Sequence, residues 1–226
     1  MDAHFPQRPG VGGLSDDAAA PVRASLPRRL ALALPDALTC GLFVLTWLEP
    51  LRFGADAVKT GLIVMLLEFL VVHSSGFFAV LVYDPEASRS KRTLCVLGLS
   101  LFYLLFVLAW AAGFGEWWPL GAFAWLIGSR LGSIWIDPLP LENERTRQIV
   151  FWAVSVVLYL GGVVATVDTP LPHFGIPPEL VPSLGLSGGG VWLEEPHRVI
   201  AFGALYFGGL AAVKLLVPAF SARRPA

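Results

Sequence analysis

The chain has 226 residues, 55% of them hydrophobic and only 15% charged, and its formal net charge is −1. Its mean hydropathy is +0.67. A soluble domain of this length needs far more polar surface to cover its core, so the composition excludes one and implies an all-α membrane protein.

Residues 1–29 are rich in Pro, Gly, Ala, Asp and Arg without sustained periodicity, and read as a disordered cytoplasmic tail. The stretch from Val22 to Leu34 is suited to lie on the membrane surface with its arginines on anionic lipid. Six apolar runs then follow, each near the roughly 20 helical residues that cross a bilayer. They lie at about 30–47, 60–83, 93–112, 117–136, 148–167 and 198–219, and predict a six-helix transmembrane bundle. The first is interrupted by Pro35 and Asp36, so a kinked helix starting at the inner interface is expected, with Asp36 near its start.

The second run carries Glu68, His73, Ser74 and Ser75 in an otherwise lipid-soluble segment. A five-residue step rotates a helix by about 140°, so Glu68 and His73 do not share a face, whereas Glu68 and Ser75 do. This is therefore not a His-Glu-x-x-His metal helix. A charge at this depth costs several kcal/mol unless it is neutralised, paired or wet. The expected partner, for either Glu68 or His73, is Arg130 in the fourth run, inside Gly128-Ser129-Arg130-Leu131-Gly132-Ser133, where small residues four apart allow a neighbouring helix close approach. Glu68, His73, Ser74, Ser75 and Arg130 are thus an intramembrane polar cluster, either a titrating or ligand-binding site or a clasp that fixes helix packing.

The loop at 113–116 is short enough to force an antiparallel hairpin between the third and fourth runs. The loop at 168–197 is long, proline-rich and apolar, and is expected to fold back as a lid over the outer mouth. Asp168, His173, Glu194, Glu195 and His197 lie on it or at its ends, candidates for an outer-rim metal or substrate site. No other cofactor is expected. A zinc-type ion suits two histidines and carboxylates, although the spacing matches no metal motif, and Glu194-Glu195-Pro196 equally suits a helix start. Gly185-Leu186-Ser187-Gly188 resembles the G-x-S-G of rhomboid-type intramembrane proteases, but those place the serine at the opening of a membrane helix and this one lies in the loop. In the last run Ala201, Ala204, Gly208 and Ala211 form a small-residue stripe that predicts tight helix contact, and Lys214 is placed to snorkel to the inner interface.

Charge sets the expected orientation. The two tails and the even-numbered loops carry eleven Lys and Arg, the odd-numbered loops two, which places both termini in the cytoplasm. Tryptophans 47, 110, 117, 118 and 192 fall at the expected outer interface, with 135 and 152 at the inner one. Cys40 and Cys95 lie inside spans and read as packing residues rather than a disulfide pair. An Arg-rich, Ala- and Leu-rich composition fits a bacterial inner membrane. The expected partners are the lipid bilayer and either another membrane protein or a second copy, with no nucleic acid. Three functions are compatible with these residues: a non-catalytic scaffold or accessory protein, which the sequence favours; a small carrier or channel using Glu68, His73 and Arg130; and a metal-dependent membrane enzyme.

Overall fold

The computed structural model describes residues 25–54, 56–82, 87–136, 142–186 and 188–217. The described residues are helical and contain no strand: α1 (Leu26–Leu48), α2 (Ala57–Val82), α3 (Arg89–Phe114), α4 (Trp118–Ile136), α5 (Glu142–Asp168), a 3-10 turn at Val181–Leu184, the one-turn α6 (Val191–Glu194) and α7 (Pro196–Leu216). The expected tail, Ser187 and the loop at 137–141 lie outside the described residues, apart from the tail's last five positions.

Five helices are long and apolar enough to cross a membrane: Leu26–Leu48, Ala57–Phe78, Arg89–Phe114, Arg145–Asp168 and Pro196–Leu216. The chain is a multi-pass membrane protein by that measure. The fourth expected span is present as α4 but is not among the five, because Arg130, Ser129, Ser133 and three glycines dilute its apolar content.

Local sequence explains the helix ends. α1 begins four residues earlier than hydropathy suggested, with Pro27 in its first turn, where a missing N–H costs nothing. It then runs unbroken through Pro35, and the Thr39 hydroxyl donates to the Pro35 carbonyl at 2.9 Å. Asp36 is thus interior to α1 rather than at a helix start. Ser88 caps α3 by accepting from the Lys91 N–H at 3.2 Å. Gly115 closes that helix in the left-handed region, at φ 68°, and starts the turn into α4. Lys59 at the start of α2 lies 2.9 Å from both Asp56 and Glu116, which ties α2 to the α3–α4 turn.

α7 is the most enclosed helix, with half of its most apolar stretch buried. It packs most closely against α1, then against α5 and α2. Small residues make that contact possible. A Cβ at Gly203 would stand 2.2 Å from the Phe43 ring, and one at Gly208 would stand 3.2 Å from Cys40 Sγ. The Cys40 thiol also donates to the Ala204 carbonyl at 3.3 Å. Around this seam Phe43, Met65, Tyr159, Phe202, Tyr206 and Phe207 form the main core. A smaller cluster, Leu70, Tyr103, Val107 and Phe123, joins α2 to the α3–α4 hairpin.

The segment between α5 and α7 is part of this core: Ile176 and Leu184 are buried in it. It is pinned to the end of α1 by Gly175 N–H donating to the Trp47 carbonyl at 3.0 Å and Trp47 Nε1–H donating to the Pro172 carbonyl at 3.1 Å. Gly175 is required there, since a Cβ would stand 2.2 Å from the Leu48 carbonyl oxygen. Leu94, Leu101, Trp125, Val157 and Val164 on α3, α4 and α5 are exposed, an apolar belt that hydrocarbon would cover.

Candidate functional site

Glu68 lies near the middle of α2 and Tyr206 at the middle of α7, so the two helices bring a carboxylate and a phenol to one depth. The Tyr206 hydroxyl donates to Glu68 Oε1 at 2.7 Å. Both line a cavity of about 520 Å³ bounded by α1, α2, α4, α5 and α7. Its polar lining includes Asp36, Ser75, Arg130, Arg147 and Lys214, and the volume falls in the range of small-molecule sites.

Within it Lys214 Nζ lies 2.5 Å from Asp36 Oδ2, and the ammonium also sits 5.4 Å from the centre of the Phe151 ring. The sequence placed these two groups apart, as a helix-start carboxylate and a snorkelling amine. They pair because α1 and α7 are neighbours along much of their length. Arg130 Nη2 donates to Ser75 Oγ at a long 3.4 Å, and its guanidinium lies 5.9 Å from the Phe78 ring centre. Among the described residues no carboxylate reaches Arg130 within ion-pair distance. The expected Glu68 or His73 pairing with Arg130 is therefore replaced by three separate contacts.

His73 lies on the other side of α2. Its Nδ1 is 2.7 Å from the Tyr103 hydroxyl, and its ring stacks on Phe69. It lines a second, largely apolar cavity of about 470 Å³ between α2 and α5, with Phe69, Phe77, Ile149, Trp152 and Leu160. Ser74 is buried and donates to the Val71 carbonyl at 3.3 Å, a bond within its own helix. Trp152 separates the two cavities and lines both, as does Val72. The indole N–H donates to the Val72 carbonyl at 2.9 Å, and a Cβ at Gly76 would stand 2.7 Å from the indole ring.

At the opposite end, His173 on the segment between α5 and α7 and the buried His197 on α7 have ring centres 4.0 Å apart, with Glu195 Oε2 3.9 Å from His197 Nε2. The other rim candidates separate from them. Glu194 accepts from the Gly190 N–H at 3.0 Å, closing the one-turn α6, and Asp168 is the exposed last residue of α5. Among the described residues no group of three or more His, Cys, Asp and Glu is arranged to hold a metal ion. Arg198 organises this rim. It pairs with Glu195 at 2.5 Å, and its Nη1 donates to the carbonyls of Thr166, Val167 and Thr169 at 2.7, 3.0 and 3.0 Å, satisfying the open end of α5. That hydrogen bond from Arg198 holds the Glu195 carboxyl below the usual carboxylate range.

Sequence reasoning missed Tyr206, Tyr103, Trp152 and the Asp36–Lys214 pair. Depth carried a signal for the first, since Glu68 and Tyr206 each sit at mid-helix. No family model, curated protein or solved structure matches the chain.

Proposed function

We propose that this protein is a small carrier-type protein of a bacterial inner membrane, crossing it six times with both termini in the cytoplasm, and that it binds a polar ligand in the cavity at Glu68. The observation that carries this reading is the cavity itself: a charged, serine-lined space that reaches a mid-span carboxylate, where transporter sites lie. A clasp that served packing alone would close on its own charges, whereas this space leaves Arg130 without a carboxylate among the described residues. The lining runs from Glu68 towards the start of α1, the start of α5 and the end of α7, and the excess of Lys and Arg in the adjoining segments supports a cytoplasmic mouth. In this reading α4 is the fourth span and brings the total to six, its polar face turned to the cavity through Arg130 and Ser133.

The test uses Ser75→Cys in a background with Cys40 and Cys95 replaced by Ala, treated with a membrane-impermeant maleimide. Inside-out vesicles are expected to label and right-side-out vesicles not to. Labelling from neither side, or only from outside, would refute the proposal.

A scaffold role is the second reading, favoured by the uncovered face of α4. Trp125 is 81% exposed, and a Cβ at Gly128 or Gly132 would meet nothing within 4 Å. Photo-cross-linking in native membranes from a benzophenone maleimide on Gly128→Cys, with Cys40 and Cys95 replaced by Ala, tests it, and a lack of any protein adduct counts against a partner at that face.

A further inference from the structure

We propose that the two cavities form one site for an anionic phospholipid, with an acyl chain in the groove between α2 and α5 and the headgroup phosphate among the cations of the polar cavity. The proposal rests on the reading of the polar cavity as a ligand site and names the class of ligand.

The pattern on α5 carries it. Arg145, Ile149, Val156 and Leu160 line the apolar groove, and Arg147, Gln148, Phe151 and Ser155 line the polar cavity. Trp152 belongs to both sets, as Val72 does on α2. Two adjacent helices therefore divide their facing surfaces into one apolar and one polar channel with a common wall. Phe69, Phe77, Ile149 and Leu160 are exposed, so the groove lies on the surface that hydrocarbon reaches from the side. The first turns of α5 put Arg145 in the groove and Arg147 in the polar cavity, two residues apart, so both channels start at one level.

Charge selects the headgroup. The polar cavity is lined by Arg130, Arg147 and Lys214 as well as Asp36 and Glu68, and Arg145 lies in the groove beside it. Asp36 engages Lys214 and Glu68 engages Tyr206, while among the described residues Arg130 meets the Ser75 hydroxyl and the Phe78 ring and no carboxylate. A guanidinium at this depth favours a phosphate, which it can bind through two parallel N–H donors. Basic pockets between spans on the cytoplasmic side bind anionic headgroups in this manner. A soluble anion would use the polar cavity and leave the groove unexplained; an amphiphile uses both.

The experiment reads fluorescence of the purified full chain in phosphatidylcholine vesicles carrying a low mole fraction of bromo-acyl lipid, with either a phosphatidylglycerol or a phosphatidylcholine headgroup. Subtracting the signal of Trp152→Phe isolates the indole at the common wall. We expect that component to be quenched by brominated phosphatidylglycerol in preference to brominated phosphatidylcholine by about fivefold in apparent affinity, the contribution of one cation at a charged lipid surface. Arg130→Gln should remove the preference, and high salt should weaken it in the wild-type chain, which keeps the test valid if that variant does not fold. Glycerol 3-phosphate, a headgroup without chains, should not relieve the quenching. Equal quenching by both lipids would reduce the groove to ordinary bilayer contact and overturn the proposal, and relief by glycerol 3-phosphate would overturn it in favour of a soluble phosphate. Either result leaves the Ser75→Cys labelling intact, whereas failure of that labelling removes the polar cavity as a ligand site independently.

Discussion

The contact between Tyr206 and Glu68 gives the carboxylate a neutral donor, and among the described residues it keeps its place in the bundle without an ion pair. Tyr206→Phe should cost roughly 1.5–3 kcal/mol of stability if the carboxylate is ionised, as hydrogen bonds to charged groups do. In a double-mutant cycle read by thermal or denaturant unfolding, Glu68→Ala and Tyr206→Phe should couple by about 0.5–3 kcal/mol, whereas Glu68→Ala and Arg130→Met should add within about 0.5 kcal/mol. Coupling of Glu68 to Arg130 equal to that with Tyr206 would contradict the arrangement. The separation of Glu68 and His73 onto different faces was legible, because azimuth within one helix follows from 3.6 residues per turn. Which residue of another helix each would meet was not. Depth follows from rise per residue, but a partner also needs the rotation of the second helix, and that is fixed by packing such as Gly203 against Phe43.

Between helices, glycines with similar sequence surroundings do different work. Gly203 on α7 lies against the buried Phe43 ring, whereas Gly128 and Gly132 on α4 face open space. Gly203→Ala should destabilise the protein by about 1–3 kcal/mol, the usual cost of overpacking. Gly128→Ala and Gly132→Ala should be neutral or stabilise by up to about 1 kcal/mol through helix propensity. Unfolding temperatures of the three variants decide this, and destabilisation by Gly128→Ala would mean that another surface covers α4. The stripe on α7 was legible as a contact surface. The similar spacing on α4 was equally visible, but a pattern of small residues states only that approach is possible, not what approaches.

For the molecule as a whole, Arg198 joins the last carbonyls of α5 to the start of α7 and pairs with Glu195. The folded state lowers the Glu195 carboxyl's affinity for protons, so its contribution is present above the unfolded value of about 4.3 and is lost as pH falls through the lower folded value. Acidification into that window should therefore lower the unfolding temperature of the wild-type chain more steeply than that of Glu195→Gln; identical acid profiles would remove Glu195 from the account. The class of the fold was legible at this scale because hydrocarbon imposes length and composition on anything that crosses it. The weaker standing of α4 has the same origin: a helix that supplies Arg130 to a polar cavity loses apolar content in doing so. The close seam between α1 and α7 also has a consequence for how the protein is made. About 150 residues separate the end of α1 from the start of α7, so at ribosomal rates α1 waits roughly 8 to 30 s for its main partner to emerge. During that interval Asp36 lacks Lys214, and the nascent first helix has to be sheltered by lipid or by the insertion machinery until the last one arrives.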